Sequence, residues 1–165
     1  RRRMFGVQIK REVKIILHRF TDYFIDFEKV QAVREIFGDE TEKVLSDLKV
    51  EFCSRRGYMG VNDQDGHIIV NADYLKNGKE RDLYLDIIHE LVHVKQFFDG
   101  RELFDDAWEY VDRPTEIEAY RNTVNEARKQ GMSDEEIYEY LRTERMSVEE
   151  LRRLATSVGV TLPDN

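Results

Sequence analysis

The first third of the chain carries apolar residues at a helical spacing. Between residues 12 and 37 they recur every three or four positions, which predicts one long amphipathic helix, or two helices interrupted near Thr21 and Asp22. Gly38 ends this pattern, because glycine readily adopts the left-handed backbone that terminates helices. The apolar positions are Val13, Ile16, Leu17, Phe20, Phe24, Phe27, Val30 and Val33.

After a shorter predicted helix over residues 40–48, the pattern becomes extended. Residues 50–53, 58–61 and 67–71 are short segments rich in β-branched and aromatic side chains, and polar turns separate them. The third segment, His67-Ile68-Ile69-Val70-Asn71, has the strongest strand pattern of the chain. Together the three segments predict a small antiparallel sheet.

Helical spacing returns beyond the predicted sheet. Apolar residues line one side of residues 81–98, and Pro114 opens a further helix that runs to about Gln130. Two capping boxes then each open a short helix, Ser133 with Glu136 and Ser147 with Glu150. We therefore expect an α+β fold with an N-terminal helix, two central helices, and a helical appendage (132–165) packed on a domain of residues 1–131.

Composition and charge exclude several functional classes. The chain has 165 residues, of which 36% are charged, and its net charge of −8 disfavours nucleic acid, which needs a basic face. No apolar run approaches the length of about 18 residues that a membrane span requires, so no membrane partner is expected. Cys53 is the single cysteine; no internal disulfide can form, and a reducing, cytoplasmic location is the natural expectation.

The motif that carries chemistry is His89-Glu90-Leu91-Val92-His93, which lies inside a predicted helix. Residues four apart share one face of a helix, so both imidazoles can bind one ion, and zinc is the metal that this spacing favours. Glu90 lies beside the metal without binding it. From there it can act as a general base and acid, taking a proton from a metal-activated water and passing it to a leaving amine.

A third ligand is expected from the helix that Pro114 opens, where Glu116 and Glu118 are the candidates. At about 100° per residue, Glu116 lies roughly 30° from the centre of the apolar stripe of this helix. A buried carboxylate needs a partner, and a cation would provide one. Glu118 faces the polar side, which favours Glu116 as the ligand.

These residues resemble the gluzincins, zinc peptidases in which a glutamate on a second helix completes the metal site. Glu116-Ile117-Glu118-Ala119-Tyr120 is similar to the glutamate helix of several gluzincin families, although Tyr120 replaces their usual Asp or Asn. A register shifted to Glu118, with Asn122 four residues later, keeps Glu118 as an alternative. The size of the chain is similar to that of the minimal members, the minigluzincins, and the resemblance covers about residues 40–130.

The resemblance implies a zinc-dependent peptidase, with a peptide or an unfolded protein as substrate. In this family the strand before the active-site helix commonly lies at the edge of the sheet and binds substrate. That position corresponds to Ile68, Ile69 and Val70, although a purely structural strand is the alternative.

The sequence offers several candidates for the residues that stabilise the oxyanion and for those that orient the ligand histidines. Tyr110 and Tyr120 are candidates for stabilising the oxyanion, with Arg121 less favoured. Asp86 and Asn122 are candidates to orient the ligand histidines.

The appendage has two interpretations. It either covers apolar surface of the core, or it makes a zymogen in which the C-terminal segment, or that of a self-associated second copy, occupies the cleft. A metal-binding regulatory or interaction module with little hydrolysis is the alternative function. The intact Glu90 favours the peptidase.

Overall fold

The computed structural model describes residues 4–12 and 17–163, which form an α+β fold, as predicted. Within these residues the α-helices are α1 (Phe20–Tyr23), α2 (Gln31–Phe37), α3 (Thr41–Asp47), α4 (Ala72–Asn77), α5 (Glu80–Phe98), α6 (Pro114–Lys129), α7 (Asp134–Leu141) and α8 (Val148–Ser157). The strands are β1 (Gln8–Ile9), β2 (Leu17–Arg19), β3 (Phe24–Ile25), β4 (Lys49–Cys53), β5 (Met59–Val61) and β6 (Ile68–Asn71). Short 3₁₀ turns cover Met4–Gly6, Phe27–Lys29, Gly38–Glu40 and Tyr110–Asp112.

The main sheet is mixed, which corrects the antiparallel prediction. Its strand order is β2-β4-β6-β5, and β4 and β6 run parallel while the other two pairs are antiparallel. The strand positions agree with the sequence pattern to within one or two residues. Their pairing does not follow chain order, because β5 takes the outer position and leaves β6 beside β4.

The prediction that Ile68, Ile69 and Val70 form the edge of the sheet is wrong. Each of these residues pairs with β4 on one side and with β5 on the other. Ile68 and Val70 are also completely buried, as expected for a central strand. No peptide can add to a strand whose backbone is already paired on both sides, and the open edge beside β6 belongs to β5.

The prediction of one long N-terminal helix is also wrong, and so is the alternative of two helices interrupted near Thr21 and Asp22, since α1 includes both of these residues. Val13 and Ile16 lie outside the described residues, and residues 17–37 are divided among β2, α1, β3, a 3₁₀ turn and α2. Asp26 has a φ of 72°, which no α-helix accommodates, and the strand β3 pairs with β1. Phe20, Phe24 and Phe27 nevertheless share one core, with ring centroids 5.0–6.2 Å apart. The three aromatic rings, spaced three and four residues apart, are therefore buried together although the segment does not form a continuous helix.

The central helices follow the sequence pattern closely. α5 begins at Glu80 and ends at Phe98, and α6 begins at Pro114, where the missing amide proton of proline costs nothing. The two helices pack against each other, and α5 also contacts β5. α5 is buried on nearly all sides, so it forms the centre of the molecule.

The appendage belongs to the same apolar core as the rest of the chain. Both predicted capping boxes are present and open α7 and α8. The buried side chains of these helices join the core that contains Ile87 and Val124. They are Ile137, Tyr138, Leu141, Leu151, Leu154 and Ala155. In the described part of the chain, no helix has the length and apolar character needed to cross a bilayer.

Candidate metal centre

Three side chains from two helices converge on one point. His89 and His93 lie one turn apart on α5, and Glu116 lies in the first turn of α6. The Oε1 atom of Glu116 is 3.0 Å from the Nε2 atom of each histidine, and the two Nε2 atoms are 3.1 Å apart. All three side chains are buried. They form a His-His-Glu group with the spacing of a metal site.

The donor atoms fit a small cation with tetrahedral coordination. Zinc bonds of about 2.0–2.1 Å place neighbouring ligands of a tetrahedron about 3.3 Å apart. The observed separations of 3.0–3.1 Å are close to that value. Two imidazole nitrogens that face each other at such a distance repel unless a proton or a metal ion lies between them. The arrangement therefore suits a bound cation, with a fourth coordination position left for a further ligand.

The charges in the group are strongly coupled. Burial alone would raise the pKa of Glu116, but hydrogen bonds and charges of His89 and His93 outweigh it and hold this pKa well below its usual range. Burial alone would lower the pKa of His93, yet the hydrogen bond and charge of Glu116 raise it to about 9. Glu116 is therefore an anion aimed at the two imidazoles.

Glu90 lies beside this group and has no hydrogen-bond partner for its buried Oε2 atom among the described residues. Burial raises the pKa of this carboxyl, the neighbouring histidines oppose the shift, and Glu116 and Asp86 add to it. Only 7% of its surface is exposed. An unpartnered buried carboxyl next to a metal-type site is costly to the fold and is suited to proton transfer.

Glu118 is separate from the His-His-Glu group. Its Oε1 atom accepts hydrogen bonds from Gln96 at 2.9 Å and from Arg101 at 3.1 Å. Gln96 in turn lies 2.7 Å from the Nδ1 atom of His93. Gln96 was not predicted from the sequence, where its one available signal was its position one helical turn after His93.

The residues proposed to orient the histidines have other partners. Asp86 accepts hydrogen bonds from the hydroxyl groups of Tyr74 and Tyr140. Burial raises the pKa of Asp86 to about 6, because it outweighs the lowering effect of these two hydrogen bonds. The Nδ1 atom of His89 has no hydrogen-bond partner in the described structure. Asn122 donates to the backbone carbonyl of Glu118 in its own helix. Neither candidate contacts a ligand histidine by a hydrogen bond.

The two tyrosines proposed for the oxyanion lie next to the group. The ring of Tyr120 packs edge-on against His89, with centroids 4.3 Å apart, and its hydroxyl is 2.8 Å from that of Tyr110. Although 40% of Tyr110 is exposed, its hydroxyl group is surrounded by protein; this burial raises its pKa well above the usual value, and the charges of Tyr120, Glu116 and Glu90 raise it further. Burial, and then the charge of Glu116, also raise the pKa of Tyr120, so both hydroxyls keep their protons. Arg121 instead donates to the carbonyl of Ser157 at the molecular surface.

The C-terminal segment is held at the other end of α6. Arg128 donates to the carbonyl of Gly159, and the amide of Thr161 donates to Asp134. Arg128 lies twelve residues after Glu116 in the same helix, which is about 18 Å along its axis. Gly159 and Thr161 therefore lie near the end of α6 opposite Glu116. Residues 164 and 165, the end of the C-terminal segment predicted to occupy the cleft, lie outside the described residues.

Comparisons with known proteins identified no relative of this chain. Family models, curated proteins and solved structures all returned no match to the chain. The functional interpretation therefore depends on the side chains that surround His89, His93 and Glu116.

Proposed function

We propose that the chain is a zinc-dependent peptidase whose metal is held by His89, His93 and Glu116. The observation that carries the proposal is the convergence of their three donor atoms at 3.0–3.1 Å with the buried carboxyl of Glu90 next to them. Two histidines and one glutamate form a ligand set of catalytic zinc sites, which keep one coordination position open. Zinc, when bound, supplies a Lewis acid that polarises a carbonyl and lowers the pKa of water.

Glu90 is the proton carrier in this proposal. A general base works best when its pKa is close to the working pH, and burial moves the pKa of Glu90 upward in that direction. The same carboxyl, once protonated, can deliver the proton to the departing amine. Its Oε2 atom is free to do this because no other described residue occupies it.

Tyr110 and Tyr120 are the donors available for the developing oxyanion. Their hydroxyls are hydrogen-bonded to each other, and one hydroxyl donates its proton in that bond. The hydroxyl that accepts keeps its own proton free to donate to the oxyanion. Tyr110 is our choice for that donor, because Tyr120 is held by its packing against His89. Its raised pKa keeps the proton on the oxygen, as a hydrogen-bond donor requires.

Substrate binding is assigned to β5 instead of β6. Backbone bonds from Asn71 to Tyr58 and from Asn62 to His67 show that alternate residues of β5 face β6. The amide and carbonyl groups of Met59 and Val61 therefore point to the open side of the sheet. Since β5 also contacts α5, an extended peptide paired with this edge would lie near the metal-binding helix.

One observation favours the alternative, a metal-binding module with little hydrolysis. The ligands His89, His93 and Glu116 are each only 6% exposed. Closed surroundings are typical of structural metal sites, whereas a peptidase must admit its substrate. The Oε2 atom of Glu90, which has no hydrogen-bond partner among the described residues, favours the peptidase, because a structural site has no need for a buried carboxyl that binds no metal.

The test compares wild type with Glu90→Gln on an unfolded protein such as casein. We expect zinc-dependent hydrolysis by wild type, with loss of activity and retained zinc in the variant. Glu135→Gln is the control, since Glu135 is an exposed carboxylate on α7. Hydrolysis that persists in Glu90→Gln would sink the mechanism. Stoichiometric zinc with no hydrolysis by wild type would support the module instead.

A further inference from the structure

Gln96 connects the two helices that carry the metal ligands. It lies on α5 one turn after His93, and only 1% of it is exposed. We propose that Gln96 is a positioning residue that holds both His93 and Glu116 in the geometry needed for zinc. This inference rests on the metal site of the proposed function but is independent of peptide hydrolysis.

The orientation of the Gln96 amide is determined by its neighbours. Its nitrogen, Nε2, is 3.0 Å from the backbone carbonyl of Thr115 and 2.9 Å from the carboxylate of Glu118. Both neighbours only accept hydrogen bonds, so the NH₂ group must face them. The oxygen, Oε1, is then left to face the ring of His93.

This orientation selects the protonation of His93. The Oε1 atom of Gln96 only accepts, and it lies 2.7 Å from Nδ1 of His93. Nδ1 must therefore carry a proton and donate it. In a neutral imidazole the lone pair is then on Nε2, the atom that faces His89 and Glu116. Gln96 thus presents the nitrogen that a metal ion requires.

The same amide also holds the second helix. Thr115 directly precedes Glu116, so the bond to its carbonyl places the first turn of α6 against α5. Glu118, anchored by Arg101, accepts the second proton of the NH₂ group. One buried side chain therefore sets the distance between the histidine ligands and the glutamate ligand.

No other side chain of similar size satisfies all three neighbours. Leucine fills the same volume but leaves the His93 N–H, the Thr115 carbonyl and the Glu118 carboxylate without this partner. Glutamate accepts from His93, but it places two carboxylates about 2.9 Å apart. Glutamine provides one acceptor and two donors, as the site demands.

The first experiment measures zinc affinity by competition with a chelator. We expect Gln96→Leu to weaken zinc binding by about 10- to 100-fold, the usual effect of removing a partner of a ligand histidine. Thr123→Val is the matched control, because Thr123 is fully buried in α6 and, among the described residues, its hydroxyl bonds only to the Ala119 carbonyl. If both variants change zinc affinity equally, Gln96 has only a structural role and the inference is overturned.

A charge exchange tests the bonding pattern if Gln96→Leu fails to fold. Gln96→Glu should weaken zinc binding, and the added Glu118→Gln substitution should restore part of it by reversing the donor and acceptor at this contact, while the Thr115 carbonyl stays without a donor. A double variant that binds zinc no better than Gln96→Glu would overturn the inference.

A third measurement needs neither zinc nor activity. In the metal-free wild type, ¹⁵N NMR should show a hydrogen-bonded Nδ1–H on His93 that is protected from exchange with solvent. In the Gln96→Leu variant, the same Nδ1–H proton should exchange faster. An unprotected Nδ1 in wild type overturns the role of Gln96 whether or not the protein hydrolyses peptides. A protected Nδ1–H in a chain that cleaves no substrate refutes the peptidase and leaves Gln96 in place.

Discussion

Replacing Glu116 by glutamine should change how the stability of the metal-free protein depends on pH. Burial alone would lower the pKa of His93, but Glu116 outweighs it and raises the pKa from 6.5 to about 9. The folded protein therefore holds this proton more tightly than the unfolded chain does. The resulting stability is fully present below pH 6.5 and is lost as the pH rises through about 9.

The size of this effect follows from the shift. Each pKa unit corresponds to about 1.4 kcal/mol, so a rise from 6.5 to about 9 contributes about 3 kcal/mol at most. In a chain of 165 residues, that amounts to roughly 6–12 °C in melting temperature. The lowered pKa of Glu116 reports the same interaction, so it adds no further energy. It also sets the lower limit of the pH window: the stability is full between about pH 4.5 and 6.5, and it declines as the pH falls below 4.5 because Glu116 becomes protonated in the unfolded chain first.

The assay is thermal unfolding with a chelator present, at about pH 6 and about pH 9, for wild type and Glu116→Gln. Other groups also titrate in this range, but they are common to both proteins, so the difference between the two pH responses isolates the pair. We expect wild type to lose more stability than the variant as the pH rises. Equal losses in the two proteins would refute the proposed coupling between Glu116 and His93.

Added zinc should reverse the trend, because the metal competes with protons for the imidazoles and its stabilising effect grows with pH. Glu116→Ala should lose zinc on dialysis, whereas Glu118→Ala should retain it with weaker binding; equal zinc content by metal analysis would contradict the ligand assignment. Leu154→Ala should cost about 2–5 kcal/mol in denaturant unfolding because Leu154 is fully buried, and the same loss in Val148→Ala, which is 71% exposed, would contradict this packing argument. Tyr110→Phe should lower kcat by about 100-fold with zinc content unchanged, and an unaltered kcat would remove Tyr110 from the mechanism.

The sequence by itself determined the features that depend on local geometry. His89 and His93 share a helix face because they are four residues apart, and that relation holds in any fold that keeps the helix. The same argument placed Glu116 on the buried side of α6 and Glu118 on the exposed side, where the structure has them. The capping boxes at Ser133 and Ser147 are equally local, because each needs only four consecutive residues.

The prediction of a long N-terminal helix failed because a three-and-four spacing of apolar residues does not by itself require a helix. Phe20, Phe24 and Phe27 are buried together, as their spacing suggested, but the left-handed Asp26 and the pairing of β3 with β1 replace the helix. Short helices are marginal without tertiary packing, so partners elsewhere in the chain can override a helical spacing. In this segment the partner was Gln8–Ile9.

Only the tertiary structure decided which strand is at the edge and which polar residues support the ligands. The pattern of Ile68–Val70 is the same for an edge strand and for a central one, and the outer position of β5 depends on how distant segments pair. Asp86 is similarly directed to Tyr74 and Tyr140 by the docking of α4 and α7. The role of Gln96 likewise depends on Thr115 and Glu118, which the packing of α6 on α5 brings against its amide group. Periodicity records which face of an element is buried, whereas the identity of the neighbour depends on contacts between residues far apart in the chain.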